Sequence, residues 1–392
     1  MALYWLRSRT VRHAIEICRH VHKIVNAQRD LVPPKGIAEV EVAIEAIRVA
    51  VRAGEPKAKI TELLSTLETV GNRWLKSYPH GALRENIEVV LVAIAVALAI
   101  RTFFLQPFKI PTGSMQPTLF GITHEDYRDQ PDVKFPGPLQ RFADYWLRGI
   151  SYVHMVARSD GELREFNEPQ TILPFVKRQR LVVGDESYTI WFPPEELIRH
   201  SNVRPGRVIH RGEDILKLKV ITGDHLFVDR VTYNFRRPTR GEIIVFETAG
   251  IPEQERMRYG IPGDQFYIKR LVGLGGETLG IGDDRHVRVN GQRLDVSTPH
   301  FDNVYSFNPR EPARDSHYSG HVFFGRLSSE SDRFQVRSDH YVVMGDNTMN
   351  SLDSRSWGDF PQESVIGKSF FVYWPILGKD SETQSRFGWA VH

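Results

Sequence analysis

Phe266-Tyr-Ile-Lys-Arg-Leu-Val-Gly-Leu274 decides the fold class, because it reads as a β-strand. On a period of two, Tyr267, Lys269 and Leu271 share one face, while Ile268, Arg270 and Val272 share the other. Runs of the same character surround it: HLFVDRVTY (225–233), EIIVFE (242–247), VRVNGQRL (287–294) and HYVVMGD (340–346). Glycine and proline punctuate them, and Asn290–Gly291 between two short runs signals a tight hairpin. Many short strands with turn signals and few helical patterns predict a mainly β domain over residues 107–392, an antiparallel barrel or sandwich. Two stretches read as insertions in it. Residues 121–220 begin as a polar, proline-dotted loop and continue into β-like runs such as SYTIWF (187–192), and residues 295–335 are mostly polar.

Upstream the character is helical. Ile37–Val51 and Ile60–Leu75 place apolar residues among charged ones, broken at Gly54–Pro56, and Pro33–Pro34 closes an earlier helix. Residues 1–85 are therefore expected to form a helical segment. No N-terminal signal peptide is visible, because Arg7, Arg9, Arg12 and Arg19 interrupt the first apolar residues. One strongly apolar run follows, VVLVAIAVALAI (89–100), continued by Phe103, Phe104 and Leu105. As a helix from Val89 to Leu105 it would rise about 26 Å, against a hydrocarbon core of roughly 30 Å. Residues 86–106 are thus expected to be a membrane anchor, with Arg101 snorkelling to the headgroups. Arg73, Lys76 and Arg84 just before the run predict a cytoplasmic N-terminus and an extracytoplasmic β domain.

Composition narrows the function. A net charge of +3 with no dense basic stripe gives no reason to expect nucleic acid as a partner. The single cysteine, Cys18, excludes an intrachain disulfide and a cysteine-built zinc site.

Three segments carry chemistry. Phe108-Lys-Ile-Pro-Thr-Gly-Ser-Met-Gln-Pro-Thr-Leu119 holds Ser114 after a glycine in a loop bracketed by Pro111 and Pro117, the constrained exposure a nucleophile needs. A serine needs a base, and a lysine serves only when neutral, so its pKa must fall from about 10.4 towards about 7. Lys269, flanked on its face by an aromatic ring and a leucine, has surroundings that disfavour an ammonium; a surface lysine on an amphipathic strand is the plainer alternative. The third segment, Gly345-Asp-Asn-Thr-Met-Asn-Ser-Leu-Asp-Ser-Arg355, is a polar loop after a strand. Asp346, Asn347, Asn350 and Asp353 are oxygen donors, yet the spacing and terminal glutamate of a calcium hand are missing. Asp315, His317 and His321 form the one notable histidine cluster outside these segments, with Gly320 arguing against a helix there.

Together, IPTGSMQPTL (110–119), GDHLFVDR (223–230) with RGEIIVF (240–246), YIKRLVGLGGE (267–277), GDNTMNSLDSR (345–355) and the closing GKSFFVYWP (367–375) resemble the type I signal peptidase family of serine–lysine leader peptidases. The resemblance implies Ser114 as nucleophile and neutral Lys269 as general base. It implies an oxyanion hole from the Ser114 N–H and the hydroxyl of Thr112, where many relatives have serine. It implies Ser351 as the hydroxyl that orients Lys269, an ion pair of Asp353 with Arg355, and substrate pockets lined by Ile110, Met115, Tyr267 and Ile268. Those pockets would select Ala-x-Ala in preprotein signal peptides, with no metal or organic cofactor needed. The lipid bilayer is the other implied partner, and the secretion machinery a further candidate. The competing readings are a specialised serine–lysine peptidase, a self-cleaving repressor, which would need a DNA-binding helix-turn-helix, and a catalytically silent scaffold on the same fold.

Overall fold

Ile243-Ile-Val-Phe246 is apolar at four successive positions, which suits a strand covered on both faces. The computed structural model describes residues 9–76, 81–379 and 385–389, and the part of the N-terminal reading that concerns residues 1–8 lies outside them. The chain divides into two compact units, Met1–Ile94 and Ala95–His392.

The first unit packs α1 (Arg9–Ala27), α2 (Pro34–Ala53) and α3 (Lys57–Trp74). Val40, Ile44 and Ile47, at helical spacing on α2, meet Val11, Ala14 and Cys18 of α1 and Ile60 and Leu67 of α3 in one core. Pro34 opens α2 at a position where its missing N–H costs nothing.

The apolar helix α4 runs Gly81–Phe103. Its window Glu85–Phe103 is 19 residues long with mean hydropathy 2.0, and none of it is buried in the protein. It is long and apolar enough to cross a membrane. Its boundaries differ from the expected 86–106. Leu105 and Gln106 already belong to a strand, because Pro107 cannot continue a helix and the Phe104 carbonyl accepts from the Arg230 N–H.

In the second unit that strand, β1 (Leu105–Lys109), edges the large antiparallel sheet. With β2 (His225–Asp229), β3 (Ile243–Glu247), β4 (Phe266–Gly273), β5 (His340–Met344), β6 (Phe360–Pro361) and β7 (Val365–Trp374), the order is β1-β2-β7-β3-β4-β5-β6. Gly388–Trp389 adds an eighth short strand on β7. β1 and β6 do not pair with each other, so the sheet stays an open, curled half-barrel. Register shifts within β2–β7, β3–β7 and β4–β5 increase its twist. The first expected run, 225–233, ends as a strand at Asp229. There the Asp229 carboxylate accepts from the N–H groups of Val231 and Thr232 and turns the chain.

β3 shows why the sheet is fixed. Ile243 and Val245 enter one core with Leu226, Val228 and Val372, while Ile244 and Phe246 enter another with Leu271, Val343 and Trp357. The hairpin at Asn290–Gly291 forms as expected, both residues at positive φ (50° and 84°) between Val287–Val289 and Gln292–Arg293. Residues 121–220 form a β lobe with its own core around Leu163, Leu181, Leu216 and Leu218. One element there departs from the expected loop: helix α5, Pro138–Arg148.

Candidate active site

Ser114 lies in a single 3-10 turn, Gly113–Met115, entered from an extended Thr112. Ile110 before the serine and Met115 and Leu119 after it are buried in the core of β2 and β3, which clamps the turn on both sides. The polar loop after β5 fixes its remaining groups. The Asn347 N–H donates to the Ser114 carbonyl at 3.1 Å, and Asn347 Nδ2 donates to the Gly113 carbonyl at 3.1 Å. The Ser114 N–H, in the first turn, has no carbonyl within its own helix to bond. Gly345 permits this approach, since a Cβ there would sit 2.2 Å from Ser351 Oγ and 2.4 Å from the Ser114 carbonyl oxygen.

Lys269 comes from the middle of β4, paired with Ile244 of β3. Its Nζ is 2.7 Å from Ser114 Oγ and also reaches the Ile268 carbonyl at 3.2 Å. The Tyr267 ring lies beside it, 5.4 Å from ammonium to centroid. Both side chains are buried, Ser114 at 6% and Lys269 at 5% exposure. Burial pulls the Lys269 pKa down to about 8, opposed by the Asp353 and Asp346 carboxylates and assisted by Arg355.

Each of those carboxylates is itself paired with an arginine. Arg355 grips Asp353 through Nε and Nη2, both at 2.9 Å, and the pair is buried. Asp353 also caps the short helix Ser354–Trp357 and accepts from the Gly345 N–H at 3.0 Å. Burial would raise the Asp353 carboxyl, but Arg355 first, then the Gly345 N–H and Ser351, hold it below the usual carboxylate range. Arg270, next to the lysine, grips Asp346 through Nε at 2.7 Å and Nη2 at 2.6 Å, with neither side chain exposed. Two buried ion pairs thus lie near the lysine, and burial outweighs the pull of their carboxylates on its ammonium.

The other candidates fall as follows. Thr112 is exposed, its Oγ1 3.5 Å from Ser114 Oγ. Ser351 Oγ is buried without a well-formed hydrogen bond and does not bond Lys269. Ile110 and Met115 are buried with the core, whereas Tyr267 and Ile268 are part-exposed beside the lysine. The oxygen donors considered for calcium are committed to arginines at Asp346 and Asp353. Asp315, His317 and His321 do not converge on one point: the Asp315 carboxylate accepts from Asn347 Nδ2, His317 Nδ1 bonds the Asp315 backbone carbonyl, and His321 contacts the Tyr305 hydroxyl. Sequence reasoning missed the Arg270–Asp346 pair, the bonds by which Asn347 holds the Ser114 turn, and Ser316, whose Oγ donates to Gln116 Oε1 at 2.7 Å. A cleft of about 590 Å³ lined by Lys109, Tyr145, Phe192 and Trp374 touches neither Ser114 nor Lys269.

The family described as signal peptidase, peptidase S26, matches residues 83–133 and 216–374, more than half of the chain. The chain is 30% identical to "Signal peptidase I" of Leptolyngbya laminosa, over 39% of this chain and 61% of that protein. It is 28% identical to "Thylakoidal processing peptidase 1, chloroplastic" of Arabidopsis thaliana, over 39% of this chain and 37% of that protein. A solved signal peptidase I from Enterococcus faecalis V583 is 27% identical, covering 34% of this chain and 97% of that one, with a TM-score of 0.24. The chain spans about three fifths of the length of the first curated relatives it matches. On the family match, this chain belongs to the signal peptidase, peptidase S26, family.

Proposed function

We propose that the chain is a membrane-bound serine endopeptidase that removes signal peptides from exported preproteins after Ala-x-Ala. The observation that carries this reading is the 2.7 Å contact between Ser114 Oγ and a buried Lys269 whose pKa is depressed to about 8.

The neutral amine of Lys269 takes the Ser114 hydroxyl proton as Oγ attacks the scissile carbonyl carbon. The oxyanion of the tetrahedral intermediate accepts from the Ser114 N–H and the Thr112 hydroxyl. As that intermediate collapses, the C–N bond breaks and the Lys269 ammonium returns its proton to the leaving amine. An ester between Ser114 and the signal peptide's new carboxyl end remains. Water, deprotonated by Lys269, then hydrolyses it and restores the hydroxyl. Asp353, Arg355 and Ser351 keep the lysine aimed by bracing the 345–355 loop beside it. Tyr267 and Ile268 supply walls for the small side chains, with Ile110 and Met115 as the floor beneath. α4 spans the bilayer, with residues 1–85 cytoplasmic and the β unit outside, where signal peptides emerge from the secretion machinery.

The test is cleavage of a preprotein whose signal ends in Ala-x-Ala by wild type, Ser114→Ala and Lys269→Ala in detergent. Wild type should cut at that junction and both variants should be inactive while folded. Residual cleavage by either variant removes the dyad from the account, and a wild type inert on several preproteins removes the general leader-peptidase reading.

A further inference from the structure

Helix α5 lies in the part of the chain, 134–215, that the family match leaves uncovered. Its amphipathicity is inverted. A helix on a soluble protein turns its apolar stripe inward. Here the polar side faces the protein: Asp144 accepts from the Tyr152 hydroxyl at 3.1 Å and pairs with Arg148, and the Tyr145 ring meets Trp374. Leu139, Phe142 and Trp146, at i, i+3 and i+7, point away and are 88%, 67% and 56% exposed. The helix is tied to the protein at its C-terminal end, with the Trp374 Nε1–H donating to the Trp146 carbonyl and the Leu377 N–H to the Leu147 carbonyl, both at 2.8 Å. Across the 590 Å³ cleft, Phe175 at a hairpin tip is 95% exposed, and Phe192 stands beside it.

We propose that this outward face of α5, together with Phe175 and Phe192, docks on the surface of the bilayer. The inference rests on the reading that α4 spans a membrane. Three observations select a bilayer as the occupant. Tryptophan and phenylalanine beside arginine and lysine are the side chains that settle at the headgroup boundary. Arg141 and Lys177 line the same cleft and have no carboxylate partner among the described residues, which suits anionic headgroups; Lys109 there is already paired with Glu195. Reach is also met. Lys109, on the cleft wall, is only six residues past Phe103 at the end of α4, so at most about 20 Å of extended chain separates the cleft from the membrane exit. The inserted lobe thereby becomes a second foot that holds the catalytic unit against the bilayer beside the anchor.

The full chain allows a direct test, because Cys18 is its single cysteine. Phe142→Cys in a Cys18→Ala background is labelled with an environment-sensitive fluorophore and reconstituted into vesicles of phosphatidylethanolamine and phosphatidylglycerol. Asp185→Cys is the control, a 96% exposed side chain at the far end of strand Val176–Val183 from Phe175. The label at 142 should be quenched by nitroxide lipids and several-fold less by aqueous iodide than the label at 185. Equal iodide quenching at both positions overturns the proposal. So does a label at 142 shielded from both quenchers in a way that depends on protein density, since a second copy would then cover the face. Flotation of the vesicles reports anchoring by α4 separately, and a chain that fails to float defeats the spanning reading and this one together. Preprotein cleavage, read on the same samples, reports the proposed activity independently.

Discussion

Replacing Lys269 by methionine is expected to abolish activity and raise stability at the same time. The side chain is buried at 5% exposure, and its pKa falls from 10.5 to about 8, chiefly through desolvation. Between those two values the folded protein binds fewer protons at this site than the unfolded chain, so wild-type stability rises with pH across that window. Below about pH 8 the penalty is complete. At 1.36 kcal/mol per pK unit it amounts to about 3 kcal/mol. Methionine has similar length and no charge, so Lys269→Met should be the more stable protein at pH 7 by up to about 3 kcal/mol. That advantage should shrink by the same amount between pH 8 and 10.5. Urea unfolding followed by tryptophan fluorescence measures it, with Trp357 buried in the core that also holds Leu271 of β4. A difference that stays constant over that range, or a variant less stable at pH 7, would refute the claim that burial discharges this lysine.

Thr112→Val removes the hydroxyl proposed as the side-chain oxyanion donor at constant shape and should lower kcat by 10²–10³, about 2.7–4 kcal/mol, while Thr112→Ser stays active; steady-state kinetics on a preprotein decides it. Gly345→Ala should inactivate the enzyme with only modest unfolding, because the added carbon would collide with the Ser114 carbonyl and Ser351; kinetics and thermal melts together separate the two effects. Arg355→Met leaves the Asp353 carboxylate buried and unpaired and should cost about 3–5 kcal/mol in chemical unfolding. The double variant Arg355→Met, Asp353→Leu should recover much of that loss.

What was legible in the sequence follows from how local each signal is. The period-two runs around Lys269 and Ile243–Phe246 mark strands because alternation is written into neighbouring residues. The Asn290–Gly291 hairpin needs only two. The pairing of Arg270 with Asp346 was invisible, since 76 positions separate them and only the sheet brings β4 beside β5. Seen alone, Arg270 reads as one more polar residue on a strand face. Helix α5 was missed for another reason. Its start and stop signals were present, Pro138 at the first turn and Gly149 just past the end, but Pro136 and Pro138 together suggested a loop. An apolar face that looks outward also offers no core partner to confirm it. The helix that carries the apolar run ends at Phe103, short of the Leu105 expected from sequence, because the backbone bond from Arg230 to Phe104 comes from a segment distant in sequence.

The pH dependence of kcat/KM on a preprotein tests the central claim most directly. With Lys269 as the base, the rate should rise tenfold per pH unit below about 8 and level off above it, and Ser114→Ala should show no such profile. A midpoint near that of an ordinary histidine, or a rate still climbing tenfold per unit towards 10.5, would show that a neutral, buried Lys269 is not the base.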